Sequence, residues 1–137
     1  MQLLFATSTL AQRLESIPGF GEVTVAELSG EIGTVERFSD ERGLAVYLGM
    51  APLNHSSGKY ISAKASRHVN IRAKMAIMAA LSKHILLMPD AKKYYEKRRA
   101  ESKKHNQAVR AFGRHMVRVI WTMLKKDRDY QNRSFMN

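Results

Sequence analysis

From Arg67 onward the apolar residues return at spacings of three and four, and this period constrains the chain more than any other feature. Such spacing belongs to helices buried along one face, because strand side chains alternate every second residue. Ile71, Met75, Met78, Leu81 and Ile85 give the apolar face of a helix over Arg67–Met88. Pro89 breaks it, and Asp90 is placed to cap a charged helix from Ala91 to about Ser102. A last helix, from about Asn106 to Lys126, turns Val109, Phe112, Met116, Val119, Ile120 and Met123 to the core.

The first third reads the same way. One helix is expected over Leu3–Glu15 and a second over Glu22–Glu31, closed by Gly33 in a left-handed cap. A third starts near Ser39 as N-cap and stops before Pro52. Residues 53–66 lose the helical period. Asn54, Ser56, Ser57, Gly58, Ser62 and Ser66 are turn formers, with room for a short extended piece over Lys59–Ala63. The expected fold is therefore all-α: a single domain over residues 1–137, of five or six helices, with an N-terminal helix-hairpin-helix and one long interior loop. At 137 residues the chain suits one core.

Charge narrows the function. Met1–Gly58 holds 3 Lys+Arg against 7 Asp+Glu, whereas Lys59–Asn137 holds 20 against 5. A field so lopsided draws polyanions to one region, and nucleic acid gains further from counterion release. The basic residues are spread over several segments, unlike those of a single membrane-surface helix. There is no cysteine, hence no disulfide and no thiolate metal site. No apolar run is long enough to span a membrane, and the first residues lack a basic leader region. These features point to a cytoplasmic protein.

Three patterns carry chemistry. Ile17-Pro18-Gly19-Phe20-Gly21 between two helices has the form of a helix-hairpin-helix turn. Gly19 and Gly21 let the backbone approach a phosphate, with the amides of a helix N-terminus behind them; a purely structural hairpin accounts for the same residues, and Glu22 favours that reading. On the last helix Arg110, Arg114 and Arg118 recur every fourth residue. Their heads rise about 6 Å apart, close to the phosphate spacing of one strand; a solvated face is the alternative. Tyr94 and Tyr95 stand among Lys92, Lys93, Lys97, Arg98, Arg99, Lys103 and Lys104, either to stack on bases or to pack on the core. In the interior loop, Ser57 precedes Gly58, with Lys59 after it and His55 before it. That is an ordinary turn by composition, or a phosphoryl-transfer nucleophile beside a cation. The acidic residues form no two-metal constellation.

In order, Ser16–Gly21, Glu31-Ile32-Gly33, Arg37-Phe38, Tyr47–Pro52, Ser56–Lys59, Ile61-Ser62, Asn70-Ile71-Arg72 and Tyr94-Tyr95-Glu96 form a set. With the closing basic helix, this set resembles the C-terminal domain of a transposase family. That family includes the pilin-gene-inverting recombinase and the bridge-RNA-guided transposases. The resemblance covers about residues 14–130. It implies a serine nucleophile, Ser57 with Ser56 as fallback, that joins covalently to DNA during strand exchange. Lys59, Lys64, Arg67 and Arg72 would hold phosphates around it. It implies DNA as partner, a guide RNA in the RNA-guided members, and a homo-oligomer for the full-length protein. It also implies magnesium on a separate acidic nuclease-like domain, with no cofactor in this chain. Alone, the chain should bind DNA without recombining it. A non-catalytic helix-hairpin-helix adaptor would use Gly19–Glu22 and the arginine stripe, with the Ser56–Gly58 loop remote from the basic surface. A dimerisation domain answering an acidic partner is a third reading.

Overall fold

The structure is a computed structural model that describes residues 9–51 and 69–131. Among these residues it is entirely helical. The elements are α1 (Thr9–Glu15), α2 (Glu22–Ile32), a 3-10 turn (Val35–Arg37), α3 (Glu41–Tyr47), α4 (Ile71–Leu87), α5 (Pro89–Ala100) and α6 (His105–Lys126). The expected interior loop, its extended piece and the start of the first expected helix lie outside the described residues.

Helix ends follow local chemistry, and several differ from expectation: α4, expected over Arg67–Met88, starts at Ile71 with Asn70 as its N-cap, and α3, expected to reach nearly to Pro52, ends at Tyr47. Asp40, not Ser39, caps α3: its carboxylate accepts from the Gly43 amide at 3.0 Å, and a carboxylate also suits the positive helix end. Pro89 opens α5 at its first position with Met88 as N-cap, so Asp90 sits inside the first turn. The missing proline N–H costs nothing there, since that amide has no partner within the helix. Gly33 does close α2, with its amide on the Ser29 carbonyl at 2.9 Å, but at φ +73° and ψ −75° its φ is positive without the ψ of the expected left-handed cap.

Leu14, Ile17, Leu28, Ile32, Leu44, Leu48, Met50, Ile77, Leu81, Phe112, Met116 and Ile120 are fully buried and draw on every α-helix but α5. On α4 the buried face is Ala73, Ile77, Ala80, Leu81, His84 and Ile85, whereas Ile71 and Met75 are 60% and 68% exposed. Ala73 and Ala80 share the inner face with Ile77, Leu81, His84 and Ile85, and Ile71 and Met75 lie on the opposite side of the helix. On α6, a Cβ added at Gly113 would strike Met50 and Leu81.

The α1–α2 turn is seated on α4. Gly19 adopts φ +91°, and a Cβ at that position would lie 2.6 Å from the His84 nitrogen. Beside it, the His84 Nδ1–H donates to the Pro18 carbonyl at 2.7 Å. The ring stacks on Phe112 at 5.6 Å, and burial holds its pKa below the usual imidazole value. His84 is thus a neutral anchor for the hairpin. Gly21, in contrast, is exposed, and a Cβ added to it would meet nothing within 4 Å. Gly19→Ala should lower stability by about 2–4 kcal/mol through positive-φ strain and overpacking. Gly21→Ala should cost about 0.5–1 kcal/mol, the usual loss at an N-cap. Urea denaturation of the two variants checks the difference.

Candidate nucleic-acid interface

The interior segment that carries Ser56 and Ser57 enters after Ala51 and leaves before Val69, and both flanks are fixed by buried or bonded residues. Asn70 caps α4, its Oδ1 accepting from the Ala73 amide at 2.9 Å. Its Nδ2 donates to Glu31 Oε1 and to the Tyr47 hydroxyl, each at 2.7 Å. Its own amide donates to the Tyr47 carbonyl at 2.8 Å. The Tyr47 hydroxyl in turn donates to the Glu31 carbonyl at 2.8 Å. One side chain therefore ties the end of α2, the end of α3 and the start of α4.

Arg37 completes this clasp from outside. Its Nη1 donates to the carbonyls of Glu31 and Ile32 at 2.9 and 3.0 Å, satisfying the free end of α2. Its guanidinium lies over the rings of Phe38 and Tyr47, 5.2 and 5.0 Å from their centroids. On the entering side, Gly49 at φ +75° lies against the aliphatic stem of Lys74, and Met50 is fully buried. The amides of Met50 and Ala51 both donate to the Ala45 carbonyl, at 2.8 and 3.2 Å. Met50 packs at Gly113, the α6 position that stands between Arg110 and Arg114.

Of the expected site residues, Ser56, Ser57, Lys59, Lys64 and Arg67 lie outside the described residues. Arg72 is exposed in the first turn of α4. Arg110 is half-buried on α6, while Arg114 and Arg118 are exposed. Arg118 pairs with Glu41 of α3 at 3.5 Å, and at 73% exposure that contact is weak. Arg110 and Arg114 have no ionic partner among the described residues. Gly19 faces α4 and not solvent; Gly21 remains open. Tyr94 and Tyr95 are half-buried against the core, with their hydroxyls at the surface seam.

The sequence gives His105 and His115 no visible role. The fold sets His115 Nε2 3.0 Å from the Tyr94 hydroxyl and His105 Nδ1 2.7 Å from that of Tyr95. Arg98 lies over the Tyr94 ring at 5.0 Å and pairs with Glu101 at 3.2 Å. The adjacent tyrosines within a basic run were the available signal; their histidine partners, 10 and 21 residues away, were not.

Among the described residues no three of His, Cys, Asp and Glu come together to hold a metal ion, and no helix is long and apolar enough to cross a membrane. The donor set among these residues does not fit magnesium.

Comparison with known proteins assigns the all-helical domain to a family. The family model described as transposase IS116/IS110/IS902 matches residues 11–96. The chain belongs to that transposase family. It is 33% identical over 84% of its length to an insertion element IS900 uncharacterized 42 kDa protein of Mycobacterium paratuberculosis, covering 29% of that protein. It is 28% identical over 88% of its length to the transposase for insertion sequence element IS1111A of Coxiella burnetii, covering 34% of it. Over 96% of its length it is 26% identical to the pilin gene-inverting protein of Moraxella bovis, covering 43% of it. The chain thus spans less than half of each of these relatives. No solved structure matches it.

The clasp sets a stability test. Asn70→Ala removes an N-cap and leaves Glu31 and Tyr47 short of a donor, and should cost about 2–3 kcal/mol. Tyr47→Phe should cost about 1 kcal/mol. Because the two share partners, the double variant should lose less than the sum, as read in a double-mutant cycle of denaturation free energies.

Proposed function

We propose that this chain is the part of an insertion-sequence recombinase that grips DNA and supplies the serine for strand exchange. Family membership supports the class. The observation that carries the finer reading is the packing of Met50 at Gly113 on α6, the helix that bears Arg110 and Arg114, with Asn70 held to Tyr47 on the other flank. A serine on the intervening segment would be tethered to the helix that bears Arg110 and Arg114, which have no ion pair among the described residues and whose guanidinium groups can stabilise the charge that builds on a phosphate under attack.

In this reading the Ser57 oxygen, or that of Ser56, attacks a backbone phosphorus. A serine–phosphate bond forms and one phosphorus–deoxyribose oxygen bond breaks. The serine proton leaves to a base and the departing deoxyribose oxygen regains one. Attack by another deoxyribose hydroxyl reverses the step and completes the exchange. Lys59, Lys64, Arg67 and Arg72 would hold the phosphates on either side. Magnesium, if used, belongs to an acidic domain beyond this chain, so binding without recombination is the expected behaviour of the chain alone. A guide RNA and self-association belong to the full-length assembly.

The adaptor reading draws on the open N-terminus of α2 at Gly21, but loses its tightest glycine to α4. Joined to its acidic domain, the protein should exchange strands and trap a covalent DNA adduct. Ser57→Ala should abolish both, with Ser56→Ala retaining activity. Full activity in both variants, measured by product sequencing and denaturing gels, would end the nucleophile assignment.

A further inference from the structure

Most of the basic surface is made of exposed lysines whose charge is dispersed, but at the seam of α5 and α6 several different phosphate-binding groups converge. His115 is half-buried there, with its Nε2 3.0 Å from the Tyr94 hydroxyl. Arg98 covers the Tyr94 ring from α5, 5.0 Å from its centroid. Arg114 precedes His115 on α6, and Arg118 follows by three residues on the same helix. The carboxylates in contact with this group are at its margins: Glu101 on Arg98 at 3.2 Å and Glu41 on Arg118 at 3.5 Å, both partly solvent-exposed. Three guanidinium groups that act electrostatically on one imidazole, with a phenol bonded to that imidazole and one exposed carboxylate each on Arg98 and Arg118, form a set whose chemistry suits an anion.

We propose that Tyr94, Arg98, Arg114, His115 and Arg118 form a binding site for one phosphodiester of the nucleic-acid backbone, in which His115 contacts the phosphate as an imidazolium. This rests on the nucleic-acid reading above and adds a defined contact with its own pH signature. A diester suits the site better than a lipid surface because the apolar parts of the seam, Tyr94 and Tyr95, are packed into the core and leave nothing to enter a bilayer.

Without ligand, burial first, and then Arg118, Arg114 and Arg98, hold the His115 pKa below the usual 6.5. From α5 the ring faces Tyr94 and Arg98; along α6 it faces Arg114 and Arg118, which ties in turn to Glu41 of α3. An arriving phosphate offsets that repulsion and raises the pKa in the complex. The complex then holds a proton the free protein has lost, so affinity must rise as pH falls between the two values. The diester itself stays anionic throughout.

The test is duplex binding by the full chain, followed by fluorescence anisotropy from about pH 5.5 to 8 at fixed salt, because salt alone shifts affinity strongly. His115→Gln keeps a donor for Tyr94 but no titratable charge. Relative to it, the unaltered chain should gain about five- to tenfold in affinity as pH drops across the window, the linkage of one proton. In parallel, the His115 ring resonances should titrate at higher pH with duplex present than without. Equal pH slopes in both proteins, or an unmoved His115 titration, overturn the proposal and leave DNA binding intact. No duplex binding at any pH overturns both readings. Binding to phosphatidylglycerol vesicles in place of duplex, with the same His115 dependence, overturns the nucleic-acid assignment.

Discussion

The structure depends on Asn70. Its amide group and backbone reach Glu31, Tyr47 and Ala73 at once, so three helix ends meet at a single residue. Without it the Ala73 amide and the Tyr47 carbonyl would lose these partners, and a half-buried helix end in that state is costly. By satisfying them together, the clasp fixes where the chain leaves α3 and where it re-enters α4. An aspartate would lack the donors and a leucine the whole set.

Around the clasp, close backbone approach determines the packing. Gly19 brings the hairpin turn onto the His84 backbone, and Gly113 brings α6 onto Met50 and Leu81. Both contacts lie on helices that bear the basic residues or support them. Ile71 and Met75 are exposed because they lie opposite the face of α4 that carries Ala73, Ile77, Ala80, Leu81, His84 and Ile85. A hairpin turned inward gives the glycines a packing role at Gly19 and leaves Gly21 at the surface.

Helix positions are readable from apolar spacing, and α6 matches its expected extent nearly to the residue. Caps are less so, since Ser39 and Asp40 are both good N-caps and only the path of the chain selects between them. Spacing alone puts Ile71 and Met75 on the inner face of α4, because Met and Ile outrank Ala on hydrophobicity, whereas the buried face is the one that carries Ala73, Ile77 and Ala80. The arginine stripe is plain in the sequence, but Tyr94–His115 joins residues 21 apart and has no local signature. Glu31, Arg37, Tyr47 and Asn70 stand in the sequence only as members of a family resemblance. The fold gives them a common physical reason, which is the clasp.

On the proposed function, the anchored flanks of the interior segment and the cationic face of α6 belong to one binding surface. Chemical-shift mapping with a short duplex tests this directly on the full chain. Ala51, Val69 and Arg72 should shift together with Arg110, Arg114 and Arg118, reaching half-saturation at one concentration. Shifts confined to α6, or two sets that saturate separately, would contradict it.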